Sequence, residues 1–242
     1  MTAPASELRV MSYNVQSLRM SVDALVDVII DCRPDVVCLQ EAPRFLMWRR
    51  RLNAFAGLCG LQIAAGHRRA GAVAVLVGPR VTVLDAAETR LRWRIGRHRR
   101  GVATVLLEFD GQRLAVSSVH MSLYADERVA HLTAVIAAAE RHGGAVVIAG
   151  DINEQPGGAT WHRFAGRYQD AYAVAPDGEE LTFSATQPRR RIDAVFVDHA
   201  LAVLGCGVPA HPRIPEASDH RPVLGRIAIG GRNSTGPTNS TG

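Results

Sequence analysis

The chain has 242 residues, 47% hydrophobic and 21% charged, with a net charge of +5. That balance excludes an intrinsically disordered chain, and no apolar run approaches the ~18 residues that span a bilayer. All 28 basic residues are Arg, which grips phosphate with a two-pronged fork where Lys supplies a point charge, so the composition leans toward phosphate-bearing partners.

In chain order, Leu8–Asn14 alternates into a strand that stops at Asn14. Ser21 is placed to cap a helix over Val22–Cys32, with apolar residues at 22, 25, 26, 29 and 30, and Arg33-Pro34 ends it. Asp35–Glu41 reads as a buried strand finishing on a carboxylate, and Phe45–Leu58 as a helix exposing Arg49–Arg51. Short strands are expected at Leu61–Ala65, Gly71–Val77 and Val81–Leu84, with His67–Arg69 in a loop. The basic stretch Thr89–Arg100 carries Trp93; it reads either as a binder of phosphate backbone with one stacking ring or as a solvated hairpin edge. Val102–Phe109 and Arg113–His120 form a hairpin through Asp110-Gly111, a type I′ signal. Asp126–His142 predicts an amphipathic helix closed by Gly143-Gly144. Gly157–Tyr168 reads as loop and short helix, and strands follow at Arg189–Val197, Ala202–Val208 and Val223–Ile229. Residues 8–229 are expected to form one domain, with 1–7 and 230–242 disordered.

Cys32, Cys38, Cys59 and Cys206 show no metal-ligand or secreted-framework spacing. Met1–Glu7 lacks the basic region and apolar core of a signal peptide. The expectation is a cytoplasmic monomer with reduced, buried thiols.

The stretch most informative about function is Ala145–Asn153, an apolar run that breaks at Gly150 and places Asp151 and Asn153 at its mouth. Alone, it fits an ordinary Asx turn as readily as a site. The surrounding pattern adds weight. A strand ending at Asn14, a helix, and a strand ending at Glu41 are echoed by a strand ending at His120, a helix, and a strand ending at Asp151. If each strand–helix–strand unit makes its usual crossover, its two strands run parallel, with carboxyl ends on one rim. Asp193 and Asp219-His220 precede their strands, and antiparallel neighbours would bring them to that same rim. Hard divalent cations such as Mg²⁺ take carboxylate oxygens, waters and substrate phosphate, which suits Glu41 and Asn14 supported by Asp219; Zn²⁺ would call for more imidazole or thiolate. Asp151 and Asn153 are placed to orient a water, His220 with Asp193 reads as an oriented imidazole, and His120 as a second donor or acid at a phosphate.

In these residues the chain resembles the endonuclease/exonuclease/phosphatase superfamily, which includes pancreatic-type deoxyribonucleases, abasic-site endonucleases, inositol-polyphosphate phosphatases and neutral sphingomyelinases. The matching segments are Ser-Tyr-Asn14-Val, Leu-Gln-Glu41, Val-His120, Gly-Asp151-Ile-Asn153, Arg-Ile-Asp193 and Ser-Asp219-His220, in the family's order. The resemblance implies a four-layer α–β–β–α sandwich and Mg²⁺-dependent phosphoester hydrolysis, with Mn²⁺ as a substitute. It implies Glu41 as main metal ligand, Asn14 as a metal or phosphate contact and Asp219 beside the metal. Asp151 and Asn153 would align the nucleophile, Asn153 also contacting phosphate, and Asp193 would orient His220.

Departures from the family pattern are Ile152 and Ala194, each where an aromatic is usual; Ala194 is expected to loosen one wall of the site. The segment after His120 lacks the Tyr-centred pattern of abasic-site enzymes, leaving Arg128 as the expected phosphate contact there, and Arg191 is expected to face substrate as well. The reading is a phosphodiesterase with DNA or RNA as favoured substrate. The alternatives are a phosphatase or phosphodiesterase acting on a small phosphorylated metabolite or lipid headgroup, and an inactive phosphate-binding module.

Overall fold

The computed structural model describes residues 6–44, 46–66 and 68–230. Two mixed six-stranded sheets pack face to face with helices on the outside, the four-layer α–β–β–α sandwich expected from the resemblance. The first sheet contains β1 (Ser6–Asn14), β2 (Val36–Gln40), β3 (Gln62–Ala65), β4 (Ala74–Val77), β11 (Ala202–Gly207) and β12 (Val223–Ile229), in the order β11-β12-β1-β2-β4-β3. The second contains β5 (Thr82–Arg90), β6 (Gly101–Phe109), β7 (Gln112–His120), β8 (Ala145–Asp151), β9 (Gln169–Asp170) and β10 (Asp193–Val197), in the order β5-β6-β7-β8-β10-β9.

Helices α1 (Val22–Cys32) and α2 (Trp48–Leu58) cover the first sheet, and α3 (Ala125–Glu140) and α4 (Ala159–Ala165) the second. Single-turn helices α5 (Ala171–Val174) and α6 (Ile214–Ala217) complete the set. Helix α1 has the predicted bounds because both signals act. The Ser21 hydroxyl accepts from the Ala24 N–H at 3.2 Å, and Arg33 turns left-handed at φ 45° before Pro34.

Both crossovers are as expected. β1 and β2 are parallel, as are β7 and β8, while β10 runs antiparallel to β8 and β12 antiparallel to β1. Side-chain parity then decides what meets between the layers. Leu8, Val10, Val116, Val147, Ala149, Val195 and Val197 fill the space between the sheets. Met11 and Tyr13 face the first helical layer, and Val119, Val146, Ile148, Ala194 and Phe196 the second. Counting by twos from the inner residues reaches Asn14, His120, Asp151 and Asp193, so all four close the inter-sheet layer at one end. Ala194 thereby points to the helical side, beside Phe164 and Trp161, and is no wall of the site. The glycine before Asp151 is a packing requirement, because a Cβ at Gly150 would overlap the Val119 carbonyl oxygen of the neighbouring strand.

Some boundaries differ from expectation. Ser6 and Glu7 belong to β1, paired with Ile229 and Ala228, because a backbone ladder does not require apolar side chains. β5 extends to Arg90 along the edge of its sheet, where mostly exposed side chains leave no hydrophobic alternation to read. The expected helix start at Phe45, the loop residue His67 and the terminal disorder beyond 6–230 lie outside the described residues. Asp110 and Gly111 have φ of 49° and 75°, as a type I′ turn demands. The four cysteines are free and buried, and no helix among the described residues is long and apolar enough to cross a membrane.

Candidate active site

The rim where the two sheets end encloses a cavity of about 420 Å³, with Glu41, His120, Asp151, Asn153 and His220 in its lining. The Asn14 amide bridges the two sheets, its Nδ2 lying 3.2 Å from Asp151 Oδ2 and 3.5 Å from Glu41 Oε1. Its Oδ1 accepts from the Gln16 N–H at 3.2 Å, so Asn14 presents N–H groups to the carboxylates here and not an oxygen to a cation. Asp151 Oδ2 also lies 3.4 Å from His120 Nε2 and 3.7 Å from His220 Nε2. The other Asp151 oxygen accepts from the Asn153 N–H at 2.9 Å, closing the Asx turn with Asn153 at a left-handed φ of 54°. The turn and the site, alternatives in the sequence, are one object.

His220 donates from Nδ1 to Asp193 Oδ2 at 2.9 Å. The Thr182 hydroxyl fixes that pair by accepting from the Ile192 and Asp193 N–H groups at 3.1 and 3.2 Å. The Ser218 hydroxyl donates to the Asn14 carbonyl at 2.6 Å, docking the 218–220 turn onto the end of β1. Glu41 sits at a left-handed φ of 51°, held by bonds from Ser17 N–H to its carbonyl and from Ala42 N–H to Ala72. A non-glycine residue in that conformation costs roughly 1–3 kcal/mol, and the surrounding bonds impose it on the carboxylate facing the cavity.

The buried charges interact strongly. Burial works to lower the His220 imidazole, but the adjacent Asp193, with Asp151 and Asp219, outweighs it and pushes the pKa up to about 10. Burial and the Asp193 charge push the Asp151 carboxyl up to about 7, against the pull of His220 and the Asn153 and Asn14 donors. His120 is held well below its usual range by burial and by the positive charges of Arg100 and His220. A cationic imidazole thus stands beside a neutral one.

A stability test follows for the metal-free protein. A raised histidine pKa contributes stability that is complete below the unfolded value near 6.5 and is lost as pH rises through about 10. The urea-midpoint gap between wild type and His220→Asn is therefore expected to narrow from pH 6.5 to 10. A gap that widens with pH would contradict the assigned charge.

The donor set fits a hard cation. The carboxylates of Glu41 and Asp151 face one cavity, and Asp193 Oδ1 is buried without a hydrogen-bond partner. Ligand atoms of Asp151, Asp193 and His220 lie within 4.8 Å of one another. A cation among the atoms of that trio would break the His220–Asp193 bond, so Glu41 is the better-placed carboxylate to hold one. Asp219 is half-buried and absent from the cavity lining, acting on His220 through its charge.

The two arginines expected at phosphate are engaged elsewhere. Arg128 donates to the Ser122 and Leu123 carbonyls and pairs with Glu154 at 3.0 Å. Arg191 forms a two-pronged pair with Asp170 at 2.9 Å and lies over the rings of Trp161 and Tyr172. Carboxylates buried nearby capture both guanidiniums. The cavity is instead lined by Arg19, Arg44, Arg100 and Arg190, none of which the sequence singled out individually. The available signal was positional: Arg100 ends a basic run directly before a strand, and Arg190 precedes Asp193 by three residues. Phe183 is a cavity wall, its ring 4.8 Å from that of His220. Trp93 keeps 41% exposure, but Arg99 lies over its ring at 4.4 Å and its indole N–H donates to the Arg97 carbonyl.

Buried acids and imidazoles thus close the mouth of an α–β–β–α sandwich. The model of the Endonuclease/Exonuclease/phosphatase family matches residues 11–220, and the chain belongs to this family of phosphoester hydrolases. A functionally unknown conserved protein from Enterococcus faecalis V583 is similar over 92% of this chain and 100% of its own, with 19% identity and a TM-score of 0.77. A mannosyl-6-phosphatase from Bacteroides thetaiotaomicron VPI-5482 is 19% identical over 91% of this chain and 99% of its own, TM-score 0.75. D. rerio TDP2, complexed with single strand DNA product, is 17% identical over 92% and 99%, TM-score 0.70. At these identities the likenesses show the fold. No curated protein matches the chain by sequence.

Proposed function

We propose that the protein is a divalent-metal-dependent phosphodiesterase, Mg²⁺ serving and Mn²⁺ substituting, with a nucleic-acid strand as favoured substrate. The observation that carries the reading is the convergence of Asn14, Glu41, His120, Asp151 and His220 on one cavity. Glu41 would hold the cation with waters; when bound, such an ion polarises the phosphoryl group and offsets its developing charge. Asp151, with its proton affinity raised by burial, takes a proton from the attacking water, which Asn153 helps to orient. His220, kept cationic by Asp193, and neutral His120 donate hydrogen bonds to the phosphoryl oxygens.

The preference for nucleic acid is supported by the net charge of +5, by the four cavity arginines, and by a basic 89–100 segment whose end enters the cavity. The enclosed volume of about 420 Å³ favours a second reading, a small phosphorylated metabolite such as a sugar phosphate. A screen of single-stranded DNA, duplex DNA, RNA, nucleotides and sugar phosphates with Mg²⁺ or Mn²⁺ separates them. Hydrolysis is expected to vanish in EDTA and return with metal; activity surviving exhaustive chelation would reject the metal assignment. Strand binding is expected to weaken steeply with salt as counterions are released, and a flat profile would favour the metabolite.

A further inference from the structure

Among the described residues three arginines are more than nine-tenths buried: Arg128 and Arg191 at 7% exposure and Arg100 at 8%. Arg128 is held by the Ser122 and Leu123 carbonyls and by Glu154, and Arg191 is ion-paired with Asp170 and Glu180. Arg100 is not. Its guanidinium makes no hydrogen bond or ion pair among the described residues, and its Nε is buried without a partner. Burial opposes its charge, and the carboxylates of Asp151 and Glu41 favour it through space without reaching it in a hydrogen bond or ion pair. Its position is nevertheless enforced. Gly71, at φ 68°, presses on the Arg100 backbone so closely that a Cβ would clash, and a Cβ on Gly101 would clash with Ala70 and with the Thr89 carbonyl. The Arg100 carbonyl accepts from the Leu91 N–H at 3.1 Å. Two glycines thus lock the strand start against a neighbouring turn and hold an unsatisfied guanidinium in the lining that contains Glu41, His120 and Asp151.

We propose that Arg100 is the phosphoryl-binding residue of this cavity, a preorganised fork whose missing partners are the non-bridging oxygens of the substrate phosphate. The assignment rests on the phosphoesterase reading and replaces the roles expected of Arg128 and Arg191. A planar guanidinium offers parallel N–H donors to two oxygens at once, and a donor already fixed in place does not need to reorganise as charge builds there.

The test uses the 242-residue chain and inorganic phosphate, followed by ³¹P NMR titration and thermal melting with and without Mg²⁺, beside hydrolysis of an activated phosphodiester. Arg100→Met is expected to weaken phosphate binding at least tenfold and to abolish the rise in melting temperature that phosphate gives the wild type. In ligand-free protein the same change is expected to leave the melting temperature unchanged or raised, because it removes an unpaired buried charge; Arg128→Met, which breaks a satisfied network, lowers it. Arg100→Lys keeps the charge and loses the fork, and is expected to lower kcat about 100-fold, with added guanidinium restoring part of the activity of Arg100→Ala. Undiminished phosphate binding by Arg100→Met and Arg100→Lys would overturn the proposal, as would a marked loss of ligand-free stability in Arg100→Met, which would make the residue a structural counter-ion. If wild type hydrolyses no phosphoester yet binds phosphate through Arg100, the catalytic reading falls and the binding assignment stands.

Discussion

Asp151→Asn is expected to lower metal-supported hydrolysis by roughly 10³–10⁴-fold while leaving the fold intact. The substitution keeps the volume, and the amide oxygen can still accept from the Asn153 N–H. What is lost is the carboxylate that, alone among the described residues, meets the Asn14 amide, His120 and His220 together. The loss should fall on kcat, since Asp151 is assigned to the attacking water and not to the leaving portion of the substrate. Removing a carboxylate whose ionisation is opposed by burial and by Asp193 also relieves strain, so the metal-free variant is expected to melt no lower than wild type. Single-turnover kinetics and a melting curve suffice. Turnover within tenfold of wild type would remove Asp151 from the chemistry.

The second large effect is on stability. Asp170 receives both prongs of Arg191 at 2.9 Å and the Trp161 indole N–H at 3.0 Å, with every partner buried. Asp170→Ala would leave the guanidinium between aromatic rings with the exposed Glu180, 3.3 Å from its Nε, as its remaining carboxylate, and is expected to cost about 3 kcal/mol, lowering the melting temperature by roughly 10 °C. Pairing it with Arg191→Met removes the stranded charge and is expected to recover most of the loss. A single variant as stable as wild type would mean the pair contributes nothing. Since Arg191 stands two residues before Asp193, the single variant should also lose activity through displacement of the His220 partner.

These two arginine networks mark the limit of what the residues alone disclose. The strands carrying the site were legible because parity and the parallel strand–helix–strand unit are local rules: Asn14, His120, Asp151 and Asp193 occupy strand ends of matching phase. The Asp193–His220 pair was also legible, as each stands at or just before the start of a strand that begins at the rim and runs away from it, antiparallel to its neighbour. Whether an arginine meets a carboxylate or a ligand depends instead on partners distant in sequence. Arg128 finds Glu154 after 26 positions and Arg191 finds Asp170 after 21, and no spacing rule announces either. Arg100 was hidden for the converse reason, since its burial comes from a turn at 70–72 and its isolation is visible only in three dimensions. The two-residue β9 and the single-turn α5 and α6 are too short for any periodicity.

The alternation that brings four strand ends into one layer also constrains how the gene can change length. Deleting one codon within β8 upstream of Gly150 would pass the aspartate's place to the opposite face, turning a carboxylate toward Phe164 and Trp161 and an apolar side chain toward the phosphate. Compensating pairs of indels inside a strand, or insertions within 92–97 of the connection, would spare the reacting groups. Length variation among descendants of this chain should therefore collect in the connections, where it can alter which substrate enters without touching how it is cleaved.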